Sequence, residues 1–204
     1  MLSNKGFDLW ANDYDKSVGL SDEDGTYPFA GYRALLNILY NRVLNASAKT
    51  VLDIGFGTGT LAAKLYEQGC AIYGQDFSQE MIHVAQTKMT NAHLFQGDFS
   101  TGLVPALKQQ KYDAILATYS LHHLTDEQKT SFLNELRQQL NEGGCLYIGD
   151  VAFETRAALE KCKRATGDAW DDDEIYFVVD EMKAHFPSLQ FEKLSHCAGL
   201  ITLQ

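Results

Sequence analysis

The chain has 204 residues, 45% of them hydrophobic and 22% charged, an ordinary globular composition. At about 150 residues per domain this suffices for one large domain, which would bury roughly 70% of its unfolded surface without staples. Lys plus Arg total 17 and Asp plus Glu total 27, for a formal charge of −10, which argues against a general nucleic-acid binder.

The only prolines are Pro28, Pro105 and Pro187, so a Pro-rich linker is excluded. Cys70, Cys145, Cys162 and Cys197 make no C-x-x-C pair and read as buried thiols of a reducing compartment. The longest apolar run, Ile175 to Val179, is far short of the ~20 residues of a membrane helix. The start of the chain lacks the apolar core of a secretory signal. The expectation is a cytoplasmic protein.

In chain order, Leu36, Leu39 and Val43 recur at helical spacing and predict a helix over Ala30 to Leu44. Thr50 to Ile54 is a β-branched run ending in glycines, a buried strand. A helix over Thr60 to Gln68 stops at Gly69, and Ala71 to Gln75 is a second strand. Ser78 caps the next helix, with Met81, Ile82, Ala85 and Met89 on one face. His93 to Gln96 and Tyr112 to Thr118 are strands three and four. Thr125 and Gln128 fit a capping box, and Gly143-Gly144 is expected to end the helix that follows. Cys145 to Val151 is a fifth strand; helices are expected at Glu154 to Ala165 and about Asp172 to Phe186. Leu189 to Leu194 and Gly199 to Leu203 are joined too tightly for a crossover and should form a hairpin.

Strands alternating with helices imply a parallel sheet covered on both faces. The fold expected is Rossmann-like α/β, with about seven strands, a C-terminal antiparallel hairpin and an N-terminal helical lid. It forms a single domain over residues 1–204, a helical cap over 1–45 and a cofactor-binding α/β core over 46–204.

In such a sheet, ligands sit beyond the C-terminal strand ends. After the first strand comes Asp53-Ile54-Gly55-Phe56-Gly57-Thr58-Gly59. Glycines there allow a sharp turn and a ligand's approach to the backbone at a helix N-terminus. The spacing is G-x-G-x-G, with Thr60 where the dinucleotide fingerprint G-x-G-x-x-G has its third glycine. Asp76 ends strand two, where a carboxylate accepts hydrogen bonds from ribose hydroxyls. Gly97-Asp98-Phe99 ends strand three, where a carboxylate can accept from an adenine amine and a backbone N–H can reach a ring nitrogen. Phe77 or Met81 would wall the base. Singly, an Asp after a strand is often a turn former; three features in this order point to a nucleoside-bearing cofactor.

Val51 to Gly59 resembles motif I of class I S-adenosylmethionine-dependent methyltransferases, and Asp76, Gly97-Asp98-Phe99, Tyr112-Asp113-Ala114-Ile115 and Leu140 to Gly144 fall where that family's later motifs fall. Trp10-Ala11, Tyr14-Asp15 and Thr118 to Thr125 further resemble a group of small bacterial methyltransferases encoded beside methionine-to-cysteine conversion genes. The resemblance implies S-adenosyl-L-methionine as cofactor. Gly55 and Gly57 would line its methionyl and ribose side, with Gly59 also in the cofactor loop; Asp76 would bind ribose, and Asp98 with Phe99 would hold adenine. Thr118 and Tyr119 would pass near the methyl sulfonium. Tyr14 would close over the amino-acid end, and Asp53 would orient the loop or meet the ammonium through water. Phe56 departs from the smaller or polar residue common there, so its ring is expected to shape the pocket.

On the acceptor side, His122 is a candidate base or orienting group beside Tyr119, against the reading that one of His122 and His123 caps a loop and the other packs. No metal is expected, because no third ligand accompanies the two histidines. Asp168, Asp171, Asp172, Asp173 and Glu174 read first as a helix N-terminus favoured by the macrodipole, and second as an attractor of cationic acceptors. Tyr27, Phe29 and Tyr32 are either an acceptor-side lid or anchors. Ala117-Thr118-Tyr119-Ser120 lacks the Pro-Pro of base amino-methylating enzymes, and none of the four cysteines follows a proline, as the nucleophile of cytosine C5 methylation would. The expected partner is therefore a small-molecule methyl acceptor, not nucleic acid or membrane. The alternatives are an NAD-linked oxidoreductase of similar fold and a non-catalytic module that binds S-adenosylmethionine or S-adenosylhomocysteine.

Overall fold

Residues 25–204 are described in a computed structural model of the chain. Their elements are α1 (Tyr32–Asn45), β1 (Thr50–Ile54), α2 (Thr60–Glu67), β2 (Ala71–Asp76), α3 (Gln79–Lys88), β3 (His93–Gln96), β4 (Tyr112–Thr118), α4 (Asp126–Gln138), β5 (Leu140–Phe153), α5 (Arg156–Thr166), β6 (Phe177–Val178), α6 (Val179–Met182), β7 (Gln190–Lys193) and β8 (Ala198–Leu203). Trp10, Tyr14 and the rest of the expected cap before residue 25 lie outside the described residues.

The sheet runs β3-β2-β1-β4-β5-β8-β7, with β6 pairing β5 off this path. Pairs from β3 through β5 are parallel. β8 runs antiparallel to both β5 and β7, the expected hairpin. Strand order reverses between β1 and β4, so their C-terminal ends flank the switch point where ligands bind in open α/β sheets.

Alternate strand residues feed two cores. Val51, Ala114, Leu116 and Tyr147 face one side, with Leu35, Leu39 and Val43 of α1, Leu61 and Leu65 of α2, Ile82 of α3 and Leu159 of α5. Leu52, Ile54, Ile115 and Ile148 face the other, with Phe132, Leu133 and Leu136 of α4 and Met182 of α6. The helix α1 sits directly on β5: a Cβ built at Gly149 would lie 2.5 Å from Leu35 Cδ2. The capping box of α4 is present, with the Gln128 N–H donating to Thr125 Oγ1 at 3.2 Å and the Thr125 N–H to Gln128 Oε1 at 3.0 Å.

Two expectations are corrected. Gly143-Gly144 does not end α4, which stops at Gln138. Both glycines lie inside β5, where the register jumps from Tyr112↔Leu140 to Ala114↔Cys145. Asn141 to Gly144 thus form a bulge, anchored by Asn141 Nδ2 donating to Asp113 Oδ1 at 2.6 Å. The helix expected from Asp172 to Phe186 shrinks to Val179–Met182. Phe177 and Val178 are buried and pair with Ala152 and Phe153 as an eighth strand. This β-branched and aromatic stretch gains more from pairing with the far end of β5 than from continuing a helix. The acidic run before it is therefore not a helix start.

Candidate functional site

The glycine loop joins β1 to α2. Gly55 has φ +65°, and a Cβ there would meet Ser120 Cβ at 2.4 Å. Only glycine fits, because Ser120 closes over the loop and donates from Oγ to Ile54 O at 2.9 Å. Gly57 has φ +56° with nothing within 4 Å of its Cβ position, so an incoming group can reach the backbone there. Gly59 is needed for packing: its Cβ would lie 2.9 Å from Met89 Cε and 3.2 Å from Ala85 Cβ. This brings the N-terminus of α2 up to the loop.

Asp76, at the end of β2, is buried. Its Oδ2 accepts the Gly57 N–H at 2.8 Å and its Oδ1 accepts the Ser78 N–H at 2.9 Å. One carboxylate thus ties the glycine loop to the start of α3. Asp53 is buried below the loop, with Oδ1 making no hydrogen bond among the described residues. Burial, and then the negative charge of Asp76, push its carboxyl up to about 8. A buried carboxyl oxygen without a partner beside an open glycine turn suits a ligand with a cationic or hydrogen-bonding end.

At the end of β3, Asp98 is exposed and caps a short turn, accepting the Ser100 N–H at 2.8 Å. The Phe99 ring stacks on Phe132 with centroids 6.1 Å apart and comes within 3.6 Å of the Gly55 Cβ position. Met81 is buried in the first turn of α3 and Phe77 is half-buried beside it. The structure thus gathers Asp53, Gly55, Gly57, Asp76 and Phe99 around one loop. Phe56 is a correction: its ring turns inward, 2.5 Å from the Gly74 Cβ position, and fills the core under β2 instead of shaping a pocket.

At the end of β4, Thr118 pairs with Gly149 and is half-buried. Tyr119 takes φ +47°, an uncommon conformation for a bulky side chain. Its ring packs against Phe29 at 5.0 Å and Tyr32 at 5.5 Å. Tyr27 stacks on Trp170 at 5.2 Å and its hydroxyl bonds the Tyr176 hydroxyl. Tyr27, Phe29 and Tyr32 therefore anchor their segment over the ends of β4 and β5.

Beneath this aromatic roof, His122 is buried between two carboxylates. Its Nδ1 donates to Asp150 Oδ1 at 2.6 Å, and its Nε2 lies 3.3 Å from Glu174 Oε1. Burial opposes the imidazolium, but Asp150 and Glu174 outweigh it and raise the His122 pKa. Burial raises Glu174, which also accepts the Tyr176 hydroxyl on Oε2 at 2.7 Å. His123 packs edge-on against His122, centroids 4.3 Å apart; burial, and then the neighbouring His122, lower it to about 4. Glu174 reaches this place because Ile175 is pinned: its N–H donates to His122 O at 2.8 Å and its carbonyl accepts from Lys129 Nζ at 2.5 Å.

Asp150 and Glu174 are absent from the sequence-predicted site. Asp150 lies inside β5, which continues to Phe153, so the strand-end signal that marks Asp76 does not single it out. Glu174 is legible only as one member of the acidic run, because its partner is a histidine distant in the chain.

A family model described as a methyltransferase domain matches residues 51–144. An "uncharacterized methyltransferase" of Alkaliphilus oremlandii is 31% identical over 90% of this chain and 81% of its own length. One of Anoxybacillus flavithermus is 36% identical over 76% and 69%. Among solved structures, a DhpI–SAH complex superposes with TM-score 0.70 at 18% identity, covering 98% of this chain and 94% of that one. An S-adenosylmethionine-dependent methyltransferase of Clostridium acetobutylicum superposes with TM-score 0.70 at 15% identity, covering 93% and 97%. The chain belongs to this family of methyltransferases and has the fold of the class I S-adenosylmethionine-dependent enzymes.

Proposed function

We propose that the protein transfers a methyl group from S-adenosyl-L-methionine to a small-molecule acceptor, bound between the glycine loop and the aromatic roof. One observation carries the cofactor half: an open, positive-φ Gly57 is held by Asp76, in the loop that follows the buried Asp53, whose Oδ1 makes no hydrogen bond among the described residues. When bound, S-adenosylmethionine supplies a methyl carbon on a sulfonium whose leaving group departs neutral. The protein's task is then alignment and exclusion of water.

Asp76 supplies carboxylate lone pairs for ribose hydroxyls while bracing the loop. The Asp53 oxygen serves the cofactor's ammonium end. Asp98 and the Phe99 N–H serve the adenine, with Phe77 and Met81 as its wall. Gly55 and Gly57 let the ligand meet backbone, and Gly59 sets the distance of α2. Thr118 and Tyr119 border the methyl side. His122, with Nδ1 held by Asp150, acts as an orienting group rather than a free base. The preference for a small acceptor is supported by Phe29 and Tyr32 packing on Tyr119 at the end of β4.

Calorimetric titration tests this reading. Saturable binding of S-adenosylmethionine and S-adenosylhomocysteine, with none of NAD, is expected. Binding of NAD alone would install the oxidoreductase reading.

A further inference from the structure

The two histidines after β4 lacked a third metal ligand in the sequence, and the fold supplies one. We propose that His122, His123 and Glu174 bind a divalent transition-metal ion of the zinc class, through two imidazole nitrogens and one carboxylate oxygen.

The three donor atoms all lie within 4.8 Å of one another. His122 Nε2 and Glu174 Oε1 are 3.3 Å apart. Zinc bonds of about 2.0–2.1 Å in a tetrahedron put neighbouring ligand atoms ~3.3–3.4 Å apart. That pair therefore already stands at the length of a coordination edge.

The shell behind the ligands is also built. Metal-binding histidines typically donate their second N–H to a carboxylate, which fixes the tautomer and ring orientation. Asp150 does this for His122, accepting from Nδ1 at 2.6 Å and leaving Nε2 toward Glu174. Asp150 Oδ1 is itself held by the Val151 N–H at 2.7 Å. Tyr176 fixes the other Glu174 oxygen at 2.7 Å. Asp150 Oδ2 is buried with no hydrogen bond among the described residues, a spare acceptor beside the ligand cluster. Lys129 Nζ is committed to Asp126 and the Ile175 carbonyl.

Two imidazoles and a carboxylate suit zinc-class ions over magnesium or calcium, which prefer all-oxygen shells. Three protein ligands leave a fourth position open, the pattern of sites that present a metal to a small molecule. The site stands whether or not the acceptor reading above is right, because its evidence is the ligand cluster alone.

The test is metal titration of the chelator-stripped full chain, with Zn2+ and with Co2+ as a spectroscopic probe. One ion per chain is expected, with Co2+ ligand-field bands of tetrahedral or five-coordinate intensity. Glu174→Gln and His123→Ala should each weaken binding at least ~10-fold, while His93→Ala, outside the cluster, should leave it unchanged. Circular dichroism certifies folding; should Glu174→Gln fail to fold, Glu174→Asp and His123→Ala decide. Absence of saturable binding by the folded chain, equal binding by wild type and both ligand variants, or loss on His93→Ala would each overturn the proposal.

Discussion

The carboxylate of Asp76 accepts a 2.8 Å hydrogen bond from the backbone N–H of Gly57. The end of β2 thereby sets the shape of the loop after β1, and the same side chain is the candidate partner of the cofactor's ribose. Asp76→Ala removes both contacts. Cofactor affinity should fall by ~1–3 kcal/mol, about 5- to 150-fold, in a protein that still unfolds cooperatively. An unchanged dissociation constant by calorimetry would refute the assignment.

Gly55 and Gly57 share a positive φ but differ in their surroundings. A Cβ on Gly55 strikes Ser120 at 2.4 Å, whereas one on Gly57 meets nothing. Gly55→Ala should therefore lower stability by ~2–4 kcal/mol through clash plus backbone strain. Gly57→Ala should cost only the conformational term of ~1–2 kcal/mol, yet weaken cofactor binding more than its stability loss explains. Chemical unfolding paired with calorimetry separates the two; equal stability losses would contradict this division.

Asp53 carries a pH signature. Its folded pKa is raised from 3.8 to about 8, so between these values the folded state keeps a proton the unfolded chain has lost. Its contribution to stability is full below about pH 4 and declines toward pH 8, at up to ~1.4 kcal/mol per unit. Asp53→Asn should abolish that decline, so the variant gains on wild type more at pH 7.5 than at pH 5.5. Urea unfolding of the ligand-free protein at both pH values measures this, and an identical difference at both would refute it.

Much of the sheet is legible in local pattern. Thr50 to Ile54 and Tyr112 to Thr118 are β-branched and apolar runs stopped by glycine or polar residues, and both form strands with those bounds. Ser78 and Thr125 cap helices because their oxygens suit the first-turn N–H groups. The errors arise where tertiary pairing overrides local signal. Gly143-Gly144 resembles a helix stop but serves a bulge in β5. Asp171 to Glu174 resembles a helix start, yet Phe177 and Val178 pair with the end of β5 and the run before them forms a bend instead of a helix.

Within the site, the loop and the acidic ends of β2 and β3 are readable because their partners are near in sequence or follow strand order. The Asp150–His122–Glu174 group is not, since only the return of the chain after α5 brings Glu174 to the end of β4. Phe56 misled for a related reason: its neighbour is Gly74, a residue whose missing side chain leaves no mark of the space it provides.

The most direct test follows a labelled methyl group. The protein is incubated with methyl-radiolabelled S-adenosylmethionine and a whole-cell extract containing both metabolites and macromolecules, which is then divided by ultrafiltration and chromatography. The account predicts enzyme-dependent label in a small molecule other than S-adenosylmethionine, reduced in Asp76→Ala when the cofactor is below saturation. Enzyme-dependent label confined to protein or nucleic acid, or no transfer to any fraction by a protein that binds the cofactor, would contradict it.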